Sequence, residues 1–173
     1  MFFKILGGIM IIAASGLMGI LFSNRLSFRL RELKRFRSLM QMLETEVVYS
    51  ATPLPAAFKE IACRSEGLLA YFFGFISDSL NKRVFFTLKD AWANAVSEVL
   101  KDSSLNNQDL DLIKSFGSVL GCSDREDQKK HFELFYIQLR HHEESADAEL
   151  KRSSKMYRSL GFLLGIAVFV VLF

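Results

Sequence analysis

The sequence predicts an all-α protein, an antiparallel bundle of about six helices whose first and last helices extend into a membrane. Both ends of the chain are apolar runs, and apolar residues in the middle recur at steps of three and four without sustained strand-type alternation. Of the 173 residues 24% are charged, and almost all of these lie between the apolar ends. We therefore expect one water-soluble helical domain, residues 23–158, between two membrane segments.

The first membrane segment is predicted at residues 1–22. Ile5 to Phe22 carries no charge, and a helix of that length, rising ~1.5 Å per residue, nearly matches the thickness of a bilayer core. A cleaved secretory signal is the alternative, but its apolar region is usually about 7–15 residues long and ends at small residues. The longer run favours a retained transmembrane helix.

The second membrane segment is predicted at residues 159–173. Leu160 to Phe173 is uniformly apolar but short for a full span. A start near Met156, with the Arg158 guanidinium reaching the headgroups, brings the length closer to that of a bilayer. A buried core helix is the alternative, and the uniformly apolar composition favours the membrane.

Cations beside the two segments predict the orientation, because Lys and Arg resist translocation. Only Lys4 lies on the amino-terminal side, whereas the central domain carries basic residues next to both spans: Arg25, Arg29, Arg31, Lys34, Arg35 and Arg37, then Lys151, Arg152, Lys155 and Arg158. Because the cations lie beside the apolar segments, the net charge of +3 favours a membrane rather than nucleic acid as the partner of this positive charge. The domain should be cytoplasmic, with Cys63 and Cys122 as free thiols.

The first helix of the domain should continue directly from the first span. Its apolar stripe runs from Leu26 to Val47, and the helix should end near Tyr49 because the prolines that follow do not fit a helix interior. Thr52 is predicted to cap the second helix, with Pro53 at its first position.

The next three helices follow from periodicity and from capping residues. A third helix is predicted at residues 68–80, and a fourth around Trp92. Asn106 or Asn107 should cap a fifth helix, which Gly121 should end.

The last helix should be the longest. Ser123 and Glu126 have the spacing of a capping box, in which each side chain binds a free amide at the start of a helix. The apolar stripe that follows continues toward the second span, so the helix should enter the bilayer without a break.

Sequence motifs favour a protein without enzymatic activity, metal or cofactor. Zinc-type spacing is lacking among the two cysteines and the three histidines, His131, His141 and His142. The sequence contains neither a phosphate-binding loop nor a nucleophile elbow. His141 and His142 point about 100° apart on a helix, so a solvated helix face is expected.

Glu44 and Glu46 leave one alternative open. Glu44 borders the apolar stripe, where a partly buried carboxylate suits a cation site or acid catalysis. We favour a structural role, with hydrogen bonds to Tyr49, Thr52 or loop amides, because a second clustered acid is lacking.

The segment LETEVVYSATPLPAAFKEIA, Leu43 to Ala62, resembles the stage III sporulation protein AB family of endospore-forming bacteria. The resemblance covers nearly the whole chain. It continues through Ala91-Trp92, Phe116-Gly117, Leu120-Gly121, Ser123-Asp124, Gln128 and the segment Tyr157 to Gly161.

The resemblance implies a partner and a place in the cell. The family is similar to the cytoplasmic domains of the inner-membrane platform proteins, the F component, of type II secretion systems. It is encoded with a secretion-type ATPase, stage III sporulation protein AA, and with other membrane components of a channel between mother cell and forespore. The expected role is a scaffold in the mother-cell membrane around the forespore that couples this ATPase to the channel. Platform proteins have two such domains, so the single domain here leaves self-association open.

The expected docking surface for the ATPase is where helix ends turn, near Pro53 to Pro55 and Gly121 to Asp124. The predicted partner-binding residues are Thr52, Pro53, Leu54, Pro55 and Asp124. A membrane-tethered regulator or sensor with a ligand cavity is the alternative function, and an enzyme with a pocket around Glu44 is a third.

Overall fold

The computed structural model describes residues 25–85 and 87–172, with side chains through residue 153 and at Met156. Six α-helices occupy this part of the chain, which confirms the predicted all-α fold, and it contains no strand. The helices are α1 (25–44), α2 (Leu54–Arg64), α3 (Gly67–Asn81), α4 (Leu88–Glu98), α5 (Asn107–Phe116) and α6 (Arg125–Leu172), with a π-helical turn at Thr45–Tyr49 and a 3₁₀ turn at Leu100–Asp102.

The two predicted membrane segments fall largely beyond this description. Residues 1–22 and Phe173 lie outside the described residues, and of residues 159–172 only the helical backbone is described. Among the residues that the structure describes, no helix is long and apolar enough to cross a membrane.

The chain forms two compact units, Met1–Leu30 with Glu144–Phe173 and Arg31–Glu143. In the first unit, the buried Arg29 guanidinium lies 2.8 Å from the carboxylate of Glu149. The features that follow all lie in the second unit.

Aromatic rings fill the core of the second unit, and every helix contributes at least one. Trp92 on α4 is fully buried, with ring centroids 5.1 Å from Phe72 and 6.0 Å from both Phe58 and Phe116. Its indole N–H donates to the carbonyl of Ile113 on α5 at 2.7 Å, so the one polar atom of the ring is satisfied. The cluster is completed by Phe36 on α1, Phe73 on α3, and Phe132 and Phe135 on α6.

A buried carboxylate links α5 to α6. Asn106 caps α5, as predicted, in a capping box with the fully buried Asp109. The second oxygen of Asp109 lies 2.6 Å from Nδ1 of His142. The expectation of a solvated face was therefore wrong for His142, whose side chain is only 24% exposed, although His141 is exposed. The error arose because the partner lies on another helix.

The close approach of α4 to the end of α5 requires a glycine. A Cβ added at the buried Gly117 would overlap the ring of Trp92. α5 ends at Phe116, rather than continuing to Gly121 as predicted, because the amides of Ser118 and Val119 bond to carbonyls three residues back and form turns.

Replacing Gly117→Ala should destabilise the protein by about 1–3 kcal/mol, because an overpacked core must move a large buried ring. The measurement is thermal unfolding of the full-length protein in neutral detergent, followed by circular dichroism. Gly74→Ala is the matched control. Its added Cβ would lie 3.9 Å from Cβ of Ala62, an ordinary contact, so we expect a gain of about 0.5–1 kcal/mol within a helix. Equal stability of both variants would contradict the account of the core.

Candidate partner-docking surface

Two loops of the second unit pack against each other, and they contain the predicted partner-binding residues. We call residues 49–55 and 119–124 the two-loop surface. A Cβ built on Gly121 would lie 2.8 Å from Cδ1 of Leu54, so the Gly121 backbone rests directly on this leucine. Gly121 also has a φ of +76°, which favours glycine. The structure thus brings together the segments that the sequence placed on separate turns.

The first loop is held by Glu46. The Thr52 hydroxyl donates to the Glu46 carboxylate at 2.6 Å, and the Thr52 amide donates to the Glu46 carbonyl at 2.9 Å. Thr52 therefore does not cap α2, although the sequence analysis predicted that it would. Ala51 has a φ of 52°, a left-handed conformation that costs a non-glycine residue about 1–2 kcal/mol. These bonds hold the loop in a strained conformation, and Tyr49 at its start is 66% exposed.

Pro53 rather than Thr52 occupies the capping position of α2. The helix begins at Leu54, one residue later than predicted, and no side chain caps it. The carbonyl of Pro53 accepts the Ala57 amide at 3.0 Å, and the carbonyl of Pro55 accepts the Ser77 hydroxyl of α3 at 2.8 Å. The prolines lack amide hydrogens, so the helix start leaves fewer donors in need of a cap.

The second loop is held by Gln128, a residue whose role was not predicted. Its side chain is buried and accepts the Gly121 amide at 3.2 Å. Its amide group donates to the Val119 carbonyl at 3.0 Å and to the Ser123 hydroxyl at 3.1 Å. One polar side chain from α6 therefore fixes the loop, and its sequence signal is only a glutamine seven residues after the glycine of the turn.

Asp124 has a structural task in addition to its charge. Its carboxylate accepts the Asp127 amide at 2.9 Å at the start of α6. The predicted capping box of Ser123 and Glu126 was thus wrong by one residue, because Ser123 is bound to Gln128 instead. Lys130 lowers the pKa of Asp127, first through a hydrogen bond and then through its charge. Asp124 itself is exposed.

Glu44 and Glu46 have structural partners. Glu44 accepts the Tyr136 hydroxyl at 2.9 Å, and burial together with the Glu44 charge raises the pKa of that phenol. The favoured structural role thus fits Glu44, although the partner is a residue of α6 rather than a nearby loop. In the described part of the chain, His, Cys, Asp and Glu side chains form no group of three that could hold a metal ion. Cys63 and Cys122 are free and exposed.

These features define a class of small all-helical module with an aromatic core and an exposed surface made by two loops in contact. The chain belongs to the stage III sporulation protein AB family, whose model matches residues 4–173. Membership gives the protein a role in sporulation and sets it in a family of assembly proteins rather than of enzymes.

Two similar proteins support this assignment. The stage III sporulation protein AB of Bacillus subtilis (strain 168) is 32% identical over 169 residues, which cover 98% of each chain. A solved structure of stage III sporulation protein AB superposes with a TM-score of 0.67 at 31% identity, covering 72% of this chain and 97% of the other.

Replacing Gln128→Ala should destabilise the protein by about 1–3 kcal/mol, because it leaves polar groups of the second loop without their partner. Hydrogen exchange of the Gly121 amide, measured by NMR on the full-length protein in detergent, should become faster. Gln138→Ala, at an exposed position of the same helix, is the control and should change neither property. Unaltered exchange at Gly121 would show that Gln128 does not hold the loop.

Proposed function

We propose that this protein is a membrane scaffold or adaptor of the secretion-like channel between mother cell and forespore, and that it couples a cytoplasmic secretion-type ATPase to the membrane complex. Family membership supports the setting. The observation that carries the docking role is the contact of Leu54 with Gly121, which unites two exposed loops into one surface. The ATPase, stage III sporulation protein AA, is the proposed partner at that surface.

The proposed topology has spans at residues 1–22 and 159–173 and a cytoplasmic domain at residues 23–158. The uncharged terminal runs and the cations beside them support this arrangement. The protein would then lie in the mother-cell membrane surrounding the forespore. Membrane anchoring would keep the two-loop surface available to a soluble ATPase.

Preorganisation explains how small loops can serve as a docking surface. Binding usually costs free energy because loops and side chains become ordered. Here Glu46 holds the first loop and Gln128 the second, and the two loops meet where Leu54 contacts Gly121. A rigid surface of this kind transmits a displacement to packed helices, which move as units.

A second candidate function is a membrane-tethered regulator or sensor. One observation favours it: a mostly apolar groove of about 480 Å³ beside α3, lined by Ala70, Tyr71, Gly74, Phe75, Asp78 and Val99. This volume falls within the range of small-molecule sites. A small apolar ligand that binds here without effect on ATPase binding would favour the regulator.

The adaptor proposal is tested by titrating the full-length protein, in neutral detergent, with the ATPase in a calorimeter. We expect a Kd in the micromolar range or tighter, about −8 kcal/mol. Asp124→Arg should weaken binding at least tenfold because it reverses the exposed charge of the two-loop surface. Asp124→Asn, which can still cap α6, separates the effect of charge from that of helix stability.

Asp111→Arg is the matched control, because Asp111 is an exposed acid on α5, outside the two-loop surface. It should bind the ATPase as the wild type does. Wild-type affinity in the Asp124→Arg variant would contradict docking at this surface. Absence of binding by the wild-type protein would contradict direct coupling and favour the regulator.

A further inference from the structure

An open cavity of about 210 Å³ lies between α1 and the turn that joins α2 to α3. It belongs to the second unit and is formed by residues outside the two-loop surface. Leu39 of α1 and Leu69 of α3, which are 8% and 7% exposed, provide its apolar surface. Arg35, Ser38 and Arg64 provide hydrogen-bond donors around it. The cavity therefore combines an apolar surface with a rim that carries two cations and one acid, Glu66.

The two arginines are suited to bind a carboxylate. Arg64 gives its Nε hydrogen to Glu60 at 2.7 Å, which orients the side chain and leaves the terminal N–H groups of the guanidinium for another acceptor. Arg35 contributes a second planar guanidinium from α1. A single arginine can bind a carboxylate through two parallel, charge-assisted hydrogen bonds, and each of these two guanidiniums can do so.

The neighbouring face of α1 adds to the positive charge. Arg31 and Lys34 are exposed close to Arg35 in the sequence. The acid of this segment, Glu32, accepts the Ser104 amide at 2.8 Å and is partly buried; burial raises its pKa, while the Ser104 amide and the charge of Arg35 lower it. Glu32 therefore offsets part of the positive charge, but the segment still carries more cations than acids.

Glu66 opposes an anionic ligand at this site. It lies on the rim of the cavity, is exposed, and makes no side-chain bond to the start of α3. Its charge would repel a bound carboxylate, but at an exposed position such an effect is small. Removing this charge should strengthen binding of an acid, which provides an independent test.

We propose that this cavity docks a segment of a partner protein that carries a carboxylate next to a bulky apolar side chain. The carboxylate lies between Arg35 and Arg64, and the apolar side chain covers Leu39 and Leu69. The volume of about 210 Å³ suits one side chain with its acidic neighbour rather than the acyl chains of a lipid. This site lies outside the two-loop surface and does not depend on the ATPase as partner.

The probe is a fluorescein-labelled hexapeptide with two central leucines flanked by glutamates, added to the full-length protein in neutral detergent. Fluorescence anisotropy should show saturable binding. Arg35→Glu combined with Arg64→Glu should weaken that binding at least tenfold. The same peptide with lysines in place of glutamates should bind this double variant and not the wild type. Such a charge exchange cannot arise from unfolding of the variant.

Glu66→Gln should tighten binding of the acidic peptide about twofold to threefold, as expected for an exposed charge. Lys89→Glu combined with Lys129→Glu, two exposed cations elsewhere, makes the same change in net charge and should leave binding unaltered. The proposal is overturned if the acidic peptide does not bind the wild type, if the double arginine variant binds it equally well, or if the arginines bind short-chain phosphatidylglycerol in preference to the peptide.

Discussion

The packing of Trp92 is the constraint on which the rest of the second unit depends. Its ring contacts aromatic side chains of α2, α3 and α5, and its N–H binds a carbonyl of α5. The lack of a side chain at Gly117 lets α5 approach this ring closely. One turn before Trp92, Leu88 lies 3.6 Å from the Cβ position of Gly121, so α4 carries both the centre of the core and part of the support for the second loop. Core packing and the exposed surface are therefore linked through one short helix.

The helices could be predicted because their signals are local. Apolar periodicity located α3 and α4, and the prolines after Tyr49 marked the end of the first helix, which terminates in a π-helical turn. Asn106 was recognised as a cap because its partner, Asp109, lies three residues away. Errors arose where a tertiary contact competes with a local one. Thr52 and Ser123 have the right chemistry for caps, but Glu46 and Gln128 engage their hydroxyls.

The candidate surface could be predicted only as two separate loops. Turn-forming residues identified the segments around Pro53 and Asp124, but their contact depends on the packing of Leu54 against Gly121, which are far apart in the sequence. The same limit applies to the bonds of Asp109 with His142 and of Glu44 with Tyr136, which join separate helices. The cavity at Arg35 and Arg64 likewise requires two helices to meet. Sequence periodicity shows which face of a helix is buried, but it does not show which neighbour covers it.

The central claim is that the two-loop surface meets the ATPase, and two native thiols allow a direct test. Cys122 lies within this surface and Cys63 on α2, and both are exposed. The measurement is the rate at which a maleimide alkylates each thiol of the full-length protein, followed by mass spectrometry with and without saturating ATPase. The account expects the ATPase to slow alkylation of Cys122 several-fold and to leave Cys63 unchanged. An unaltered rate at Cys122, under conditions where the two proteins form a complex, would contradict it.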